Sequence, residues 1–397
     1  MRLLIVTTLV LAATAMTSAQ SKQIVRSGPD LGLPFSPAVK AGGLIYVSGT
    51  VATDANGKIV AGDIKAQTRQ TLNNIQQVLH AAGSSLANAA SVMVYLTDAS
   101  DFAAMNEVYQ TFWPKDPPAR TTIAAPLALA GARIEISMIA IPDGGERTVV
   151  LPADWIKSPN PYSYGIKTGD TLFLSGLVSR NGKDNSHVTG DITKQTNTVL
   201  DNGGQILQAA GMSFADVVSA RVFITDTTNF QAMNAAYRAH FPAAPPARAT
   251  VKAGLTTADY LIEITMVAVK DASRTAIATP NADGTPGTAN PNLSAAIRVG
   301  RRLYLSGTLG TMEGNAGNVA AQTTEALARI DRTLKAAGFD LTNVVDGMVY
   351  LTDMGRFADM NTPYRQAFGK DFPTRTTVGA GLMGAGGLVE IMFTAVK

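Results

Sequence analysis

The sequence predicts an α+β protein that contains three copies of one domain, and three recurring patterns support this prediction. Apolar runs end in Ser-Gly at LIYVSG, TLFLSG and RLYLSG, and each is followed by a Phe-x-x-Met-Asn element. Each copy then carries an Arg before Thr or Ala and a Glu between aliphatic residues. The Asn, Arg and Glu positions all recur at intervals of 128 and 127 residues. This interval is too long for a solenoid unit and fits a whole domain.

Changes in hydrophobic period predict the order β-β-α-β-α-β-β within each copy. The strand that ends in Ser-Gly is followed by helical spacing from Leu72 to Ala82, and Gly83 ends that helix. A β-branched run at residues 92–97 follows, then a second helix at Phe-x-x-Met-Asn and two closing strands. Two helices on a mixed sheet leave its other face uncovered. We therefore expect the three sheets to pack together around a barrel-like core.

The first twenty residues differ from the rest of the chain. Arg2, an apolar stretch at residues 3–13 and small residues up to Ala19 are typical of a secretory signal peptide. The apolar stretch is shorter than the ~20 residues of a membrane span. We predict a signal peptide at 1–19, export to a bacterial periplasm or secretion, and domains at 20–144, 145–272 and 273–397. The short connectors at 143–146 and 271–273 favour docked neighbours.

Composition excludes several classes of function. The net charge is only +3, and no run of four Lys or Arg occurs, so a nucleic-acid partner is not expected. The chain has no Cys, which excludes disulfides, thiolate chemistry and Cys-based metal sites. Its three His residues lie at unrelated positions in two copies, which excludes a repeated His triad or zinc site. We predict no metal and no cofactor.

Each copy carries an Arg and a Glu 15 residues apart, on strands expected to be neighbours in one sheet. The pairs are Arg120 with Glu135, Arg248 with Glu263, and Arg375 with Glu390. Strand alternation places the flanking aliphatic residues on the helix face and the Glu toward the sheet–sheet centre or a cleft between copies. A guanidinium group suits the capture of a carboxylate, and a partly buried Glu can orient or deprotonate water. Spacing alone, however, favours a structural Arg–Glu ion pair.

Two further repeated residues have both structural and functional interpretations. The Asn of Phe-x-x-Met-Asn can donate to a ligand carbonyl or cap a helical turn, and it occurs as Asn106, Asn234 and Asn361. The Ser-Gly pair can present N–H groups to an anion or simply end a strand, and its serines are Ser48, Ser175 and Ser306. For each residue taken alone, the structural interpretation is favoured.

Taken together, these elements resemble the RidA (YjgF) family of reactive-intermediate imine/enamine deaminases, over about residues 22–397. The resemblance implies chorismate-mutase-like domains, which in the family form homotrimers with ligands in clefts between subunits. Three docked copies would therefore give a monomer with pseudo-threefold symmetry. The resemblance also implies that the three Arg bind carboxylate, that the three Glu act on water, and that the repeated Asn and Ser line the clefts.

The sequence departs from the family pattern at two positions. An aromatic hydroxyl usual in the family is present as Tyr162 in the second copy only, whereas Phe35 and Leu293 occupy its position in the others. The family's frequent Cys two residues after the Arg is replaced by Thr122, Thr250 and Thr377. We therefore expect three unequal clefts. Which copies pair to form each cleft cannot be read from the sequence.

The resemblance implies a cofactor-free deaminase that hydrolyses 2-imino or enamino acids, such as 2-iminopropanoate, to 2-keto acid and ammonia. The expected partners are small 2-imino or 2-keto carboxylates, with no membrane partner after signal removal. The alternative is an exported, non-catalytic module that binds small carboxylates or amides. The predicted signal favours this alternative, because reactive enamines are made by cytoplasmic PLP enzymes. A third possibility is endoribonuclease activity, but the sequence offers neither a basic groove nor a His pair for it.

Overall fold

The structure is a computed structural model that describes residues 22–241 and 243–397. The predicted signal peptide at 1–19 lies outside these residues and stays a prediction, as do the domain boundaries. No helix among the described residues is long and apolar enough to cross a membrane.

Each third of the chain forms one mixed sheet and two long helices. The first domain contains β1 Gln23–Val25, β2 Ala38–Ala41, β3 Leu44–Val51, α1 Ile64–Ala81, β4 Ala89–Leu96, α2 Phe102–Phe112, β5 Ala119–Ala124 and β6 Ile134–Ala140. The second contains β7 Thr148–Val150, β8 Gly165–Thr168, β9 Thr171–Leu174, β10 Leu177–Val178, α3 Ile192–Ala209, β11 Val217–Ile224, α4 Phe230–His240, β12 Ala247–Lys252 and β13 Ile262–Val269. The third contains β14 Thr275–Ile277, β15 Ala296–Val299, β16 Arg302–Leu305, β17 Thr308–Leu309, α5 Val319–Ala336, β18 Val344–Leu351, α6 Phe357–Phe368, β19 Thr374–Gly379, β20 Gly381–Leu382 and β21 Val389–Val396.

The sheets confirm the predicted α+β class and share one strand order. The first sheet runs β1-β2-β3-β6-β4-β5, and the equivalent strands follow the same order in the other two. The pairs β4–β5, β11–β12 and β18–β19 are parallel, because a helix crosses over between their strands. The other pairings between the strands named above are antiparallel. In each domain a short leading strand precedes the predicted β-β-α-β-α-β-β order. One pairing joins two domains, because β20 of the third domain pairs with β12 of the second.

The Ser-Gly element interrupts the strand that carries it. In β3 the pairing with β6 shifts register between Val47 and Thr50, and in the other domains the strand is split into β9 and β10 or β16 and β17. A bulge of this kind bends the strand and re-aims its side chains. Because Ser48 and Gly49 form the bulge, they are displaced from the regular pleat at the edge that meets the third domain.

The first long helix of each domain fixes the start of the strand that carries the Glu. Its buried Gln accepts a hydrogen bond from the backbone at the start of that strand: Gln67 from Arg133 at 2.8 Å, Gln195 from Leu261 at 2.9 Å and Gln322 from Leu388 at 2.8 Å. The same Gln donates to a carbonyl in or beside the preceding loop. Since buried amides are costly to leave unpaired, these bonds define the register of the Glu.

The three sheets pack together through the faces that carry no helices, as the sequence predicts. Residues from all three domains form one buried cluster, which includes Met93, Tyr95, Phe223, Met348 and Tyr350. The same backbone bond recurs at each seam between domains: Ser163 N to Pro118 O at 3.1 Å, Ser294 N to Pro246 O at 3.2 Å, and Ser36 N to Pro373 O at 3.0 Å. The last of these joins the first domain to the third. The domains are therefore related by pseudo-threefold symmetry.

Candidate functional site: three interdomain clefts

The predicted adjacency of Arg and Glu within one sheet is wrong. Arg120 lies on β5 and Glu135 on β6, but the central strand β4 runs between them. Each Glu instead faces the Arg of another domain across a seam. We name the clefts by their domains: cleft 1–2 contains Arg120 and Glu263, cleft 2–3 contains Arg248 and Glu390, and cleft 3–1 contains Arg375 and Glu135.

All three Arg side chains are buried on an aromatic ring. Arg120, Arg248 and Arg375 are only 3%, 1% and 2% exposed. Their guanidinium carbons lie 4.6, 4.6 and 4.7 Å from the ring centroids of Tyr109, Tyr237 and Tyr364. A ring face at this distance attracts a cation without neutralising its charge. The stack therefore holds each guanidinium group in place and leaves its N–H groups for another partner.

The stacking tyrosines were missed by the sequence interpretation, although a signal for them was present. Each lies three residues after the repeated Asn, in MNEVY, MNAAY and MNTPY. On a helix, residues three apart share one face. The conserved interval therefore places Tyr and Asn together beside the Arg.

Each guanidinium group retains a buried N–H without a hydrogen-bond partner. These atoms are Nη1 of Arg120, Nε and Nη1 of Arg248, and Nη2 of Arg375. Burial lowers the pKa of Arg375 to about 10, so the group still carries a positive charge at neutral pH. A buried cation with free donors is suited to an anionic ligand.

The three Glu carboxyl groups lie beneath the Ser-Gly bulge of their own domain. A Cβ at Gly49, Gly176 or Gly307 would lie 1.8 Å from Oε1 of the Glu, so only glycine allows this approach. Glu263 Oε1 also accepts a long hydrogen bond of 3.4 Å from Thr122 N across the seam. The glycine of the motif therefore has a steric role in addition to ending the strand.

Burial raises the pKa of all three Glu to about 8. The facing Arg lowers each pKa, but less than burial raises it. None of the ion pairs formed by the described residues joins a site Arg to a site Glu. The simple structural ion pair that spacing favoured is therefore not formed, and the raised pKa favours the protonated form of each carboxyl group.

The repeated Asn residues lie within helices and do not cap them. Asn234 Oδ1 accepts a 2.5 Å hydrogen bond from Arg248 Nη2. Asn106 Nδ2 instead donates to Asn160 Oδ1 at 3.4 Å, and the Oδ1 atoms of Asn106 and Asn361 are buried without partners. Among the three described Asn residues, a hydrogen bond to the site Arg is therefore formed in cleft 2–3 only.

The repeated Ser residues lie at the same edges, with unequal bonding. Ser48 Oγ accepts from Arg375 N at 2.9 Å and donates to Ser36 O at 2.7 Å. Ser306 makes the equivalent pair of bonds, to Arg248 N at 2.8 Å and Ser294 O at 2.6 Å. Ser175 Oγ is buried without a partner. Cleft 1–2 therefore offers a free hydroxyl that the other two clefts use internally.

The residue at the family's aromatic position also differs among the clefts. Tyr162 of the second domain lies in cleft 1–2, with its ring centroid 5.9 Å from the guanidinium carbon of Arg120. Phe35 lies 5.6 Å from that of Arg375 in cleft 3–1. The chain therefore places Tyr162 opposite Arg120 and Glu263. No group of residues in the described part of the chain has the side chains to hold a metal ion.

Comparison with known proteins identifies the family. The family model described as Endoribonuclease L-PSP matches residues 27–142, 153–270 and 285–397. These matches cover most of the chain, so the chain belongs to this family and carries three tandem copies of its domain. The predicted RidA (YjgF) membership is thereby confirmed.

Several relatives correspond to one copy. Protein mmf2, mitochondrial, of Schizosaccharomyces pombe is 51% identical over 112 residues, which are 28% of this chain and 88% of that protein. A RutC family protein of Pyrococcus horikoshii is 45% identical over 108 residues, 27% of this chain and 86% of its own length. The solved YjgF gene product of E. coli is 31% identical and covers 31% of this chain and 98% of its own, with a TM-score of 0.29.

One solved structure extends over more than one copy. A chorismatase covers 78% of this chain and 93% of its own, with a TM-score of 0.51 and 14% sequence identity. At this identity the likeness concerns the fold alone. It agrees with the chorismate-mutase-like domains that the family resemblance implied.

Proposed function

We propose that the protein is a hydrolytic deaminase of small 2-imino and enamino acids, giving a 2-keto acid and ammonia. The observation that carries this proposal is the pairing, across each seam, of a buried Arg that has free donors with a buried Glu whose pKa is raised to about 8. Family membership supports a Rid-type deaminase in general. The natural substrate and the number of working clefts belong to the proposal.

The Arg supplies the site for the carboxylate. A buried guanidinium group without a counter-ion is costly, and a ligand carboxylate would repay that cost with charge-assisted hydrogen bonds. The underlying Tyr ring keeps the guanidinium group from turning away. The reacting C=N carbon, which is bonded directly to the carboxylate carbon, is then held near the Glu of the neighbouring domain.

The protonated Glu supplies the acid that imine hydrolysis needs. The carboxyl group donates its proton to the imine nitrogen, which makes the carbon electrophilic and leaves the Glu as a carboxylate. That carboxylate accepts a proton from the attacking water as the C–O bond forms. The carboxyl group then donates a second proton to the nitrogen, and the C–N bond breaks as the new hydroxyl group returns its proton to the Glu carboxylate, which releases ammonia and the 2-keto acid. The Glu ends as it began, so the reaction balances without any further reagent.

One observation also supports the alternative, a carboxylate-binding module. The Arg and its Tyr account for carboxylate binding without any role for the Glu. The two functions therefore differ only in what the Glu does.

The decisive experiment measures ammonia release from freshly generated 2-iminopropanoate. We expect the triple variant Glu135→Gln, Glu263→Gln and Glu390→Gln to lose hydrolysis and still bind pyruvate in calorimetric titration. Glu146→Gln, at an exposed position, is the matched control and should behave as the wild type. Pyruvate binding by a wild-type protein that does not accelerate hydrolysis would instead establish the binding module.

A further inference from the structure

A pocket of about 300 Å³ adjoins cleft 3–1 on its first-domain side. Phe35, Ser48 and Gly49 line both the pocket and the cleft. The rest of the wall combines apolar residues, such as Leu31 and Pro37 from the leading loop, with polar ones that include Asp54, Gln70, Asn74 and Gln77. We call it the Phe35 pocket. Its volume is at the lower end of the range of about 300–1,000 Å³ that small-molecule sites occupy.

The equivalent space in the second domain is filled by aromatic side chains. Trp155 and Tyr164 occupy it, and Tyr164 stands where the first domain has Pro37, 127 residues earlier in the chain. Only about 20 Å³ remains there. The Trp155 ring packs tightly over Gly182, where a Cβ would lie 2.1 Å from the ring.

This filling also supports the residue at the aromatic position of cleft 1–2. Trp155 and Tyr164 meet edge to face with centroids 4.9 Å apart, and Tyr164 meets Tyr162 in the same way at 5.7 Å. Tyr162 is therefore backed by two packed rings. Phe35 has the open pocket behind it, so a ligand side chain can lie beside it or displace it.

We propose that cleft 3–1 accepts 2-imino acids with bulky apolar side chains, which enter the Phe35 pocket, and that cleft 1–2, where the equivalent pocket is filled, favours small ones. This inference rests on the proposed function. Arg375 fixes the carboxylate and Glu135, under Gly49, faces the C=N group. The third substituent of the reacting carbon is the substrate side chain, which points toward the remaining wall formed by Phe35. In cleft 1–2 the same direction ends at Tyr162 and the rings of Trp155 and Tyr164, and a separate cavity of about 560 Å³ borders Tyr162 between residues 110–117 and 149–164.

The test uses two proteins with one working cleft each. Glu263→Gln with Glu390→Gln leaves cleft 3–1, and Glu135→Gln with Glu390→Gln leaves cleft 1–2. The substrates are the imines of phenylalanine and alanine, generated by an amino-acid oxidase. The ratio of kcat/KM for the bulky over the small imine should be at least about 10-fold higher in the first protein, a discrimination that one hydrophobic pocket supplies.

A register-matched substitution then closes the Phe35 pocket. Pro37→Tyr introduces the residue of the second domain at a compatible backbone position, because the Pro37 carbonyl accepts from Ser48 N at 3.0 Å as the Tyr164 carbonyl accepts from Ser175 N at 2.9 Å. In the cleft 3–1 protein it should lower kcat/KM for the phenylalanine imine about 10-fold or more and leave the alanine imine nearly unchanged. Phenylpyruvate affinity should fall in parallel.

The control is Ala295→Tyr, the same change at the equivalent position of the third domain, whose carbonyl accepts from Ser306 N at 2.9 Å. It alters an inactivated cleft and should change kcat/KM for neither the phenylalanine imine nor the alanine imine. An unchanged ratio in folded Pro37→Tyr, or equal ratios in the two single-cleft proteins, would overturn the inference while leaving the deaminase intact. Absence of activity toward both imines in both proteins would instead refute the proposed function.

Discussion

Replacement of Glu390 by Gln should stabilise the protein at alkaline pH and leave its stability almost unchanged at acid pH. Burial raises the pKa of Glu390 to about 8, and Arg248 offsets this only in part. The described structure gives the carboxyl group no hydrogen bond that Gln would remove. The amide is a neutral group of the same shape, so it avoids the cost of a buried negative charge.

The magnitude follows from proton linkage. Below pH 4.5 the carboxyl group is protonated in the folded and the unfolded chain, and its raised pKa costs no stability. As the pH rises from 4.5 to 8, the unfolded chain loses this proton while the folded chain keeps it. Each pH unit in this window therefore destabilises the wild type by about 1.4 kcal/mol. The full window gives about 5 kcal/mol, and water entry into the cleft would reduce this to about 2–3 kcal/mol.

Urea unfolding at pH 4.5, 6, 8 and 9 measures this difference directly. The wild type and Glu390→Gln should unfold at similar urea concentrations at pH 4.5 and diverge as the pH rises, with the variant more stable. Glu146→Gln, at an exposed position, should follow the wild type throughout. A variant that is less stable than the wild type at pH 8 would refute the reasoning, because it would mean that Glu390 is charged and stabilised by Arg248.

Three further predictions follow from the clefts and the seams. Arg248→Lys keeps the charge but loses the planar set of N–H donors. Pyruvate affinity in calorimetric titration should therefore fall about 10-fold, while the melting temperature stays unchanged. Lost stability with unchanged affinity per folded molecule would identify a structural Arg. Tyr162→Phe in the protein with only cleft 1–2 working should lower kcat/KM about two- to twelve-fold, the value of one hydrogen bond, and no change would show that its hydroxyl is not used. Light scattering on the protein without residues 1–19 should give the mass of one chain, and the mass of three chains would contradict an internal pseudo-trimer.

The repeat and the element order could be predicted because both depend on local patterns. Hydrophobic period, glycine stops and the Ser-Gly ends recur three times, so each copy supports the interpretation of the others. Strand alternation also correctly placed Ile134 and Ile136 in the helix-covered core and Glu135 on the opposite face.

The Arg–Glu partnership could not be predicted, because it depends on the order of strands in the sheet. Arg120 and Glu135 are close in sequence, but the crossover through α2 places β5 on the far side of β4 from β6. The nearest Glu is then Glu263, which is supplied across the seam by a domain whose docking no local pattern encodes. The filling of one side pocket by Trp155 and Tyr164 depends equally on tertiary packing.

Fusion of the three domains into one chain allows the clefts and the axis to differ, which a homotrimer does not permit. The central cavity of about 60 Å³ is lined by Arg221 and Asp346, and each occurs there once because the equivalent positions hold Met or Ser. In a homotrimer, Arg221 would place three cations around one axis, whereas here Tyr350, Tyr95 and, to a smaller extent, Asp346 raise the pKa of the single guanidinium group despite its burial. The same freedom lets Ser175 keep a free hydroxyl in one cleft while Phe35 borders an open pocket in another. Asymmetry at the axis and in the clefts thus has one cause, and it makes a division of substrates among the clefts physically possible.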